Sequence, residues 1–249
     1  RKINLQTDML SLKLYLVLTF FSFVIPFGLV YWAEQFIPSG LASILFAIMP
    51  FMVIIFSRIS LPQNKISSNQ LLGVITGFFG IVVIFSENLS LELKDYLLGM
   101  LAVLISATMQ AGNAVIIKKH GGHLNPLSMN FIPLLIAGIF MIIYAILFEN
   151  YSSWIFDIKA IGSIVYLAFF GTLITFTTYY WLLKRISVVI LSLSTFITPI
   201  VAVILGWLFA GENFSAQALI GSAMVLIGIL FANFNGVKNY YKTRKSFNR

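Results

Sequence analysis

The sequence predicts an all-α membrane protein. It reads as a polytopic helical bundle of inverted five-helix repeats, with eight transmembrane helices in these 249 residues and ten in the intact protein. Three observations carry the expectation. Hydrophobic residues make up 59% of the chain and charged residues 10%, against roughly 25% charge in a soluble domain. The apolar residues run in stretches of about 20, enough for a helix to cross a bilayer core, and not in the alternating strands of about ten residues that build membrane barrels. The third observation is a duplication. Tyr31-Trp32, Ser43 and Pro50 recur 149 residues later as Tyr180-Trp181, Ser192 and Pro199, and Gly73 and Gly80 recur at 148 as Gly221 and Gly228. Uncommon residues coinciding at one offset indicate an internal repeat. At that offset Arg1 corresponds to Asn150, so the first copy lacks two helices that the second has. Five helices per copy, an odd number, would invert the second copy in the membrane. The expected units are 1-86, a first repeat with three helices; 87-95, a linker; 96-235, a second repeat with five; and 236-249, a basic cytoplasmic tail.

The apolar stretches are labelled A to H. Segment A, Leu12–Ala33, carries Pro26, which removes a backbone hydrogen bond and kinks the helix. Trp32 near its end suits an interfacial anchor or a substrate contact. Segment B, Ser39–Ser57, sets Gly40, Ser43 and Ala47 on one face ahead of Pro50. Segment C, Ile66–Ser86, has a stripe of Gly73, Gly77 and Gly80, a helix-packing surface that lets a neighbouring backbone approach.

Segment D, Tyr96–Ile117, is the most polar. Gly99, Ala102, Ser106, Gln110 and Asn113 share one stripe. Carboxamides at membrane depth are costly unless partnered, so they face a bundle interior or a watery cavity; interhelical glue and substrate contact both stand. Segment E is Ser128–Phe148. Segment F, Ala160–Leu182, brings Thr172, Thr175 and Tyr179 to one face and ends at Trp181. Segment G, Ser187–Phe209, has Ser194 and Thr198 on one face, with Thr195 a turn before Pro199. Segment H, Ser215–Asn235, carries Gly221 and Gly228 for packing. The expected substrate contacts are thus Ser106, Gln110, Asn113, Thr175, Tyr179, Trp181 and Trp32, with Pro50 and Pro199 as kinks that could gate.

Charge assigns sidedness. If the links alternate between two sides, all of the 16 Lys and Arg except Lys94 and Lys159 fall on one side. All of the 8 acids except Asp8 fall on the other. This is a positive-inside pattern with both ends in the cytoplasm of a cell, most simply a bacterial inner membrane. The net charge of +8 is topogenic, and the tail from Lys238 faces anionic lipid, not nucleic acid, because no aromatic stacking platform accompanies it. Zero cysteines exclude disulfides and thiolate sites. His120 and His123 flank Gly121-Gly122 without a third ligand, so no metal and no cofactor is expected. Asn88, Asn150 and Asn213 begin sequons on the outer side. No Asp, Glu, Lys or Arg lies mid-segment, which removes a buried proton relay and a catalytic carboxylate pair. An enzyme is therefore not expected.

Each copy resembles the repeat of EamA-like transporters in the drug/metabolite transporter superfamily. The residues that carry the likeness are Tyr180-Trp181, Ile197-Thr198-Pro199, Gly211-Glu212 and Gly221 to Gly228 in the later copy. In the earlier copy they are Tyr31-Trp32, Ile48-Met49-Pro50 and Gly73 to Gly80. The earlier copy departs at Pro62-Gln63, where the family has Gly-Glu. The resemblance implies a secondary transporter that exports amino acids or other small polar metabolites by alternating access. Its partners would be that substrate and the bilayer, with a homodimer left open. A lipid or sugar-conjugate flippase, a channel-type protein and an integral membrane enzyme are the alternatives. The matched Pro and Gly interruptions favour a carrier over a channel.

Overall fold

In the computed structural model, residues 5–60, 68–86, 94–149, 156–192, 194, 197–209, 211, 215–228 and 230–231 are described, and all regular structure among them is helical. Pro62-Gln63, Glu87, Glu92, Glu212, the three sequon asparagines and the tail from Lys238 lie outside the described residues.

Segment A is not one uniform helix. An α-helix, α1 (Met9–Leu18), widens into a π-helix at Thr19–Val24 and returns to α-helix in α2 (Ile25–Ala33). The wide turn ends two residues before Pro26, which has no N–H to continue an ordinary ladder. Segment B is broken into α3 (Ser39–Phe46) and α4 (Met49–Ser60). Pro50 offers no donor to the Phe46 carbonyl, and the chain tightens at the break through bonds of Ala47 N–H to Ile44 O (3.1 Å) and Ile48 N–H to Leu45 O (3.1 Å). Then follow α5 (Ser68–Ser86), α6 (Lys94–His120) and α7 (Pro126–Phe148). Segment F repeats the form of A: α8 (Ile158–Tyr166), a π-helix at Leu167–Ile174 and α9 (Thr175–Arg185). Segment G carries α10 (Val188–Ser192) and α11 (Ile197–Phe209), and α12 covers Ala216–Gly228.

The expectation of eight membrane-spanning helices is corrected here. Five helices among the described residues are long and apolar enough to cross a membrane: Met9–Ala33, Ser39–Ser60, Asp95–His120, Pro126–Phe148 and Ile158–Arg185. They are segments A, B, D, E and F. Among the described residues the apolar helices of C and H are shorter, at Leu71–Ile84 and Ala216–Gly228, and G carries α10 and α11. Composition measured over about 20 residues registers apolarity and misses whether one helix runs through it. The chain is an all-α polytopic bundle, and the count of five inverted helices per repeat falls with the count of eight.

The central helix is α6, which packs on α2, α3 and α4. Segments B and G pack on each other: α3 packs on α11 and α4 on α10, so first half lies on second half and the two segments run antiparallel. Two apolar clusters form the core. One gathers Leu14, Leu18, Val53, Val115, Leu124 and Leu183; the other gathers Ala33, Leu41, Leu45, Ile84, Met100 and Val103. They meet at Phe46, Ile48 and Val189. B and D are the most enclosed spans, whereas the most apolar stretch of F has no buried residue.

A cavity where the broken helices meet

Segments A, B, D, F and G enclose a cavity of about 310 Å³ beside the junction of the two clusters. Gln110 and Asn113 of α6 reach it together with Thr175 and Tyr179 of α9. Four side chains that the sequence places on two separate stripes therefore share one space. Spacing of three along α6 puts Gln110 and Asn113 on one face. In α9, Thr175 and Tyr179 are one turn apart, just past the π-helix. Thr198 and Ser194 of segment G line it as well, and Phe27, Phe46, Phe176 and Tyr180 supply rings. None of its lining residues is charged.

Asn113 is 2% exposed. Its Nδ2 donates to the Ser22 hydroxyl in the π-helix of segment A, and its Oδ1 is buried with no hydrogen-bond partner. A buried carboxamide oxygen left unsatisfied costs about 1–3 kcal/mol, and Asn113 is among the residues that line the cavity. Ser22 was not expected from the sequence, although a hydroxyl one turn before Pro26 was a visible signal. Asn130 is a second omission. It is buried in α7 and donates to Leu173 O (3.0 Å) and Thr177 Oγ1 (2.8 Å), where the π-helix of F passes into α9. A carboxamide in an apolar span is the signal that singled out Gln110 and Asn113, and it applied equally to Asn130.

The other expected contacts lie elsewhere. Ser106 is fully buried and donates to the Pro26 carbonyl at 2.9 Å. Trp32 lines a larger outer vestibule of about 910 Å³ between α2 and α7, with Tyr31, Gln35, Tyr144 and Glu149. Phe27 is common to vestibule and cavity. Trp181 lies under the Arg185 guanidinium, 3.6 Å from ring centre to Cζ, away from both. Pro50 is buried at the break in B, and Pro199 falls in the first turn of α11. Gly80 and Gly221 face each other across C and H, as do Gly73 and Gly228: an added Cβ on Gly221 would stand 2.6 Å from Gly80 O, and one on Gly228 2.6 Å from Gly73 O. Gly77 is closed over by the Phe51 ring.

The end of the bundle opposite the vestibule is knit by cations and carbonyls. Lys118 Nζ donates to Leu183 O (2.6 Å) and Ile186 O (2.8 Å), the exposed C-terminus of α9, and Lys184 Nζ returns a bond to Leu124 O (2.7 Å). The Ser11 hydroxyl joins Asp8 and His123 Nε2 at the same end. Polar vestibule residues at one end and lysine caps at the other match the split of charge along the chain.

A model of the EamA-like transporter family matches residues 2–86 and 97–234. The uncharacterized transporter YoaV of Bacillus subtilis is 25% identical over 234 residues, which covers 94% of this chain and 79% of YoaV. The uncharacterized inner membrane transporter YedA of Escherichia coli K12 is 25% identical over 208 residues, 82% of this chain and 65% of YedA. A crystal structure of a protein 19% identical to the chain superposes with a TM-score of 0.66 over 92% of this chain and 77% of that one, a likeness of fold.

Proposed function

Because this chain belongs to the EamA-like transporter family, and is thus a polytopic secondary-type membrane transporter of small molecules, we propose that it exports small polar metabolites such as amino acids by alternating access. The site is the cavity of about 310 Å³, with Gln110, Asn113, Thr175 and Tyr179 as the contacts. The observation that carries the reading is the convergence of Gln110, Asn113, Thr175 and Tyr179, from two helices, on one cavity with no charged lining residue. The vestibule is the outer approach, and Trp32 acts there. Trp181 and Ser106 hold helices in place. The kinks at Pro50 and Pro199 are the joints that open one side as the other closes, supported by the packing of α3 on α11 and of α4 on α10. The membrane is the bacterial inner membrane, as for YedA of Escherichia coli, with the lysine-capped end in the cytoplasm. The boundary between repeats lies at 87-95, supported by the gap between the two matched stretches.

Gln110→Ala and Asn113→Ala test the site in the full-length native protein. A single hydrogen bond is worth about 0.5–1.5 kcal/mol, so each variant should weaken apparent affinity roughly three- to tenfold while inserting normally. Unaltered affinity in both would remove α6 from the substrate site. A second copy of the chain is a further partner, covering segment F along its most apolar stretch, which has no buried residue. Ile164, 63% exposed there, should cross-link as Ile164→Cys in intact membranes; recovery of monomer alone would exclude this pairing.

A further inference from the structure

The two helices that carry the polar contacts of the cavity continue past it to the inner end of the bundle. On α6 the cavity-lining residues run from Gln110 to Ile117, and on α9 from Thr175 to Tyr180. Further along both helices lies a smaller pocket of about 130 Å³, lined by Ile117, Lys118, Gly122, Leu183 and Lys184. Ile117 is 3% exposed and lines both spaces. A path from the cavity to the inner end between α6 and α9 therefore passes Ile117 and then meets two lysines.

The lysines tie the two helices in both directions. Lys118 of α6 donates to Leu183 O and Ile186 O at the end of α9, at 2.6 and 2.8 Å. Lys184 of α9 donates to Leu124 O, in the turn that follows α6, at 2.7 Å. That turn is moored on its other side to α1 and the residues ahead of it, where His123 Nε2 meets the Ser11 hydroxyl at 3.0 Å and the Asn125 N–H donates to Gln6 Oε1 at 3.2 Å. The lysine acceptors are backbone carbonyls, and none of the residues lining the small pocket is acidic. The last carbonyls of a helix have no intrahelical donor and take one from a lysine or from water. Lys184 is exposed, so water reaches this end. An ammonium bound to neutral carbonyls at a wetted rim can be exchanged for water and re-formed, whereas a buried carboxylate partner would be costly to leave.

We propose that Lys118 and Lys184 form the inner gate of this transporter, a reciprocal latch beneath the cavity that parts when the cavity opens to the cytoplasm. The proposal rests on the reading of this cavity as the substrate site and adds how it is closed on one side. The lysines position helices and touch no substrate.

A thiol in the cavity wall reports which side the cavity faces. Ser194 lines the cavity and is exposed. Ser194→Cys in the full-length protein is modified with an impermeant methanethiosulfonate, from outside in right-side-out vesicles and from the cytoplasmic side in inverted ones. Lys118→Met keeps the length of the side chain and removes its donors. Modification from the cytoplasmic side should then speed about tenfold, the shift in a two-state equilibrium expected for loss of a charge-assisted bond, with no rise from outside. Lys118→Arg keeps a cationic donor and should stay within about threefold of the parent. If Lys118→Met does not fold, Lys184→Met should shift the inner rate in the same direction. Rates that rise equally from both sides would make the lysines a general support. An inner rate that is unchanged, or raised as much by Lys118→Arg, would remove their bonds from the path. Each of these results overturns the latch and leaves the cavity as the site. A thiol that reacts from neither side, in parent and variant alike, overturns the latch and the place of the cavity on the transport route together.

Discussion

Gly228 has backbone in front of it. A methyl group there would stand 2.6 Å from both Gly73 O and Gly77 N, and neither can rotate away. Gly228→Ala should destabilise the protein by about 1–3 kcal/mol, as overpacking does. Gly28 has nothing within 4 Å of its would-be Cβ, so Gly28→Ala should stay within about 0.5 kcal/mol of the parent; thermal unfolding in detergent separates the two. The glycine stripe was legible in the sequence, but which glycine faces which was not, because spacing along one helix says nothing of its neighbour. Asp8 makes a different case. It caps α1 by accepting from the Ser11 N–H, and the side-chain and backbone bonds to Ser11, more than the nearby His123, hold its carboxyl below the ordinary carboxylate range. A depressed carboxyl stabilises the folded state in full above its unfolded titration range and loses that contribution as pH falls through the folded value. The stability gap between parent and Asp8→Asn should therefore be widest near neutrality and close as the medium is made acid; a gap that widens with acid would contradict the cap.

At the scale of elements, the π-helices are the finding that periodicity could not supply. Thr19–Val24 shifted by the 149-residue repeat offset becomes 168–173, inside Leu167–Ile174. The two copies are thus unwound at one place, though the causes differ. In A the wide turn leads into Pro26. In F no proline is present, and Thr172 and Thr175 bond the carbonyls five residues back, Leu167 O (3.0 Å) and Phe170 O (2.7 Å). Each wide turn is tied to a neighbouring helix by an asparagine: Asn113 to Ser22, and Asn130 to Leu173 O and Thr177. Removing the tie in F takes from Leu173 O the donor that Asn130 gives it. Asn130→Leu should cost about 1–3 kcal/mol and speed amide exchange from Leu173 to Thr178, while exchange in Thr19–Val24 stays as in the parent. Uniform exchange across both π-helices would mean that Asn130 supports the bundle generally and not this turn.

Across the whole molecule, the two ends differ in chemistry, and orientation follows from the difference. The chain has no cysteine, so a single introduced thiol reports alone. Gln35→Cys and Glu149→Cys, both at the vestibule, should react with an impermeant reagent in intact cells, and Lys184→Cys only after permeabilisation. The reverse pattern at both ends would invert the assignment. Loss of the Lys184 bond to Leu124 O is a separate effect, so Lys119→Cys, exposed beside Lys118, serves as the check at the same end.

Class and chemistry were determined by the sequence itself. Apolar stretches of bilayer length can be stable only as helices in lipid, where each backbone group must find its partner within the segment. Gln110 and Asn113, three residues apart on one helix, had to share a face, and so did Thr175 and Tyr179, four apart. The tertiary structure decided that these two faces meet, that Trp181 lies beneath Arg185, and that five helices among the described residues are long and apolar enough to span. Periodicity describes the direction of a side chain about its own axis. Where two axes cross, which carbonyl takes which donor and where a helix must break are settled by packing between segments far apart in the chain, and no local pattern records that.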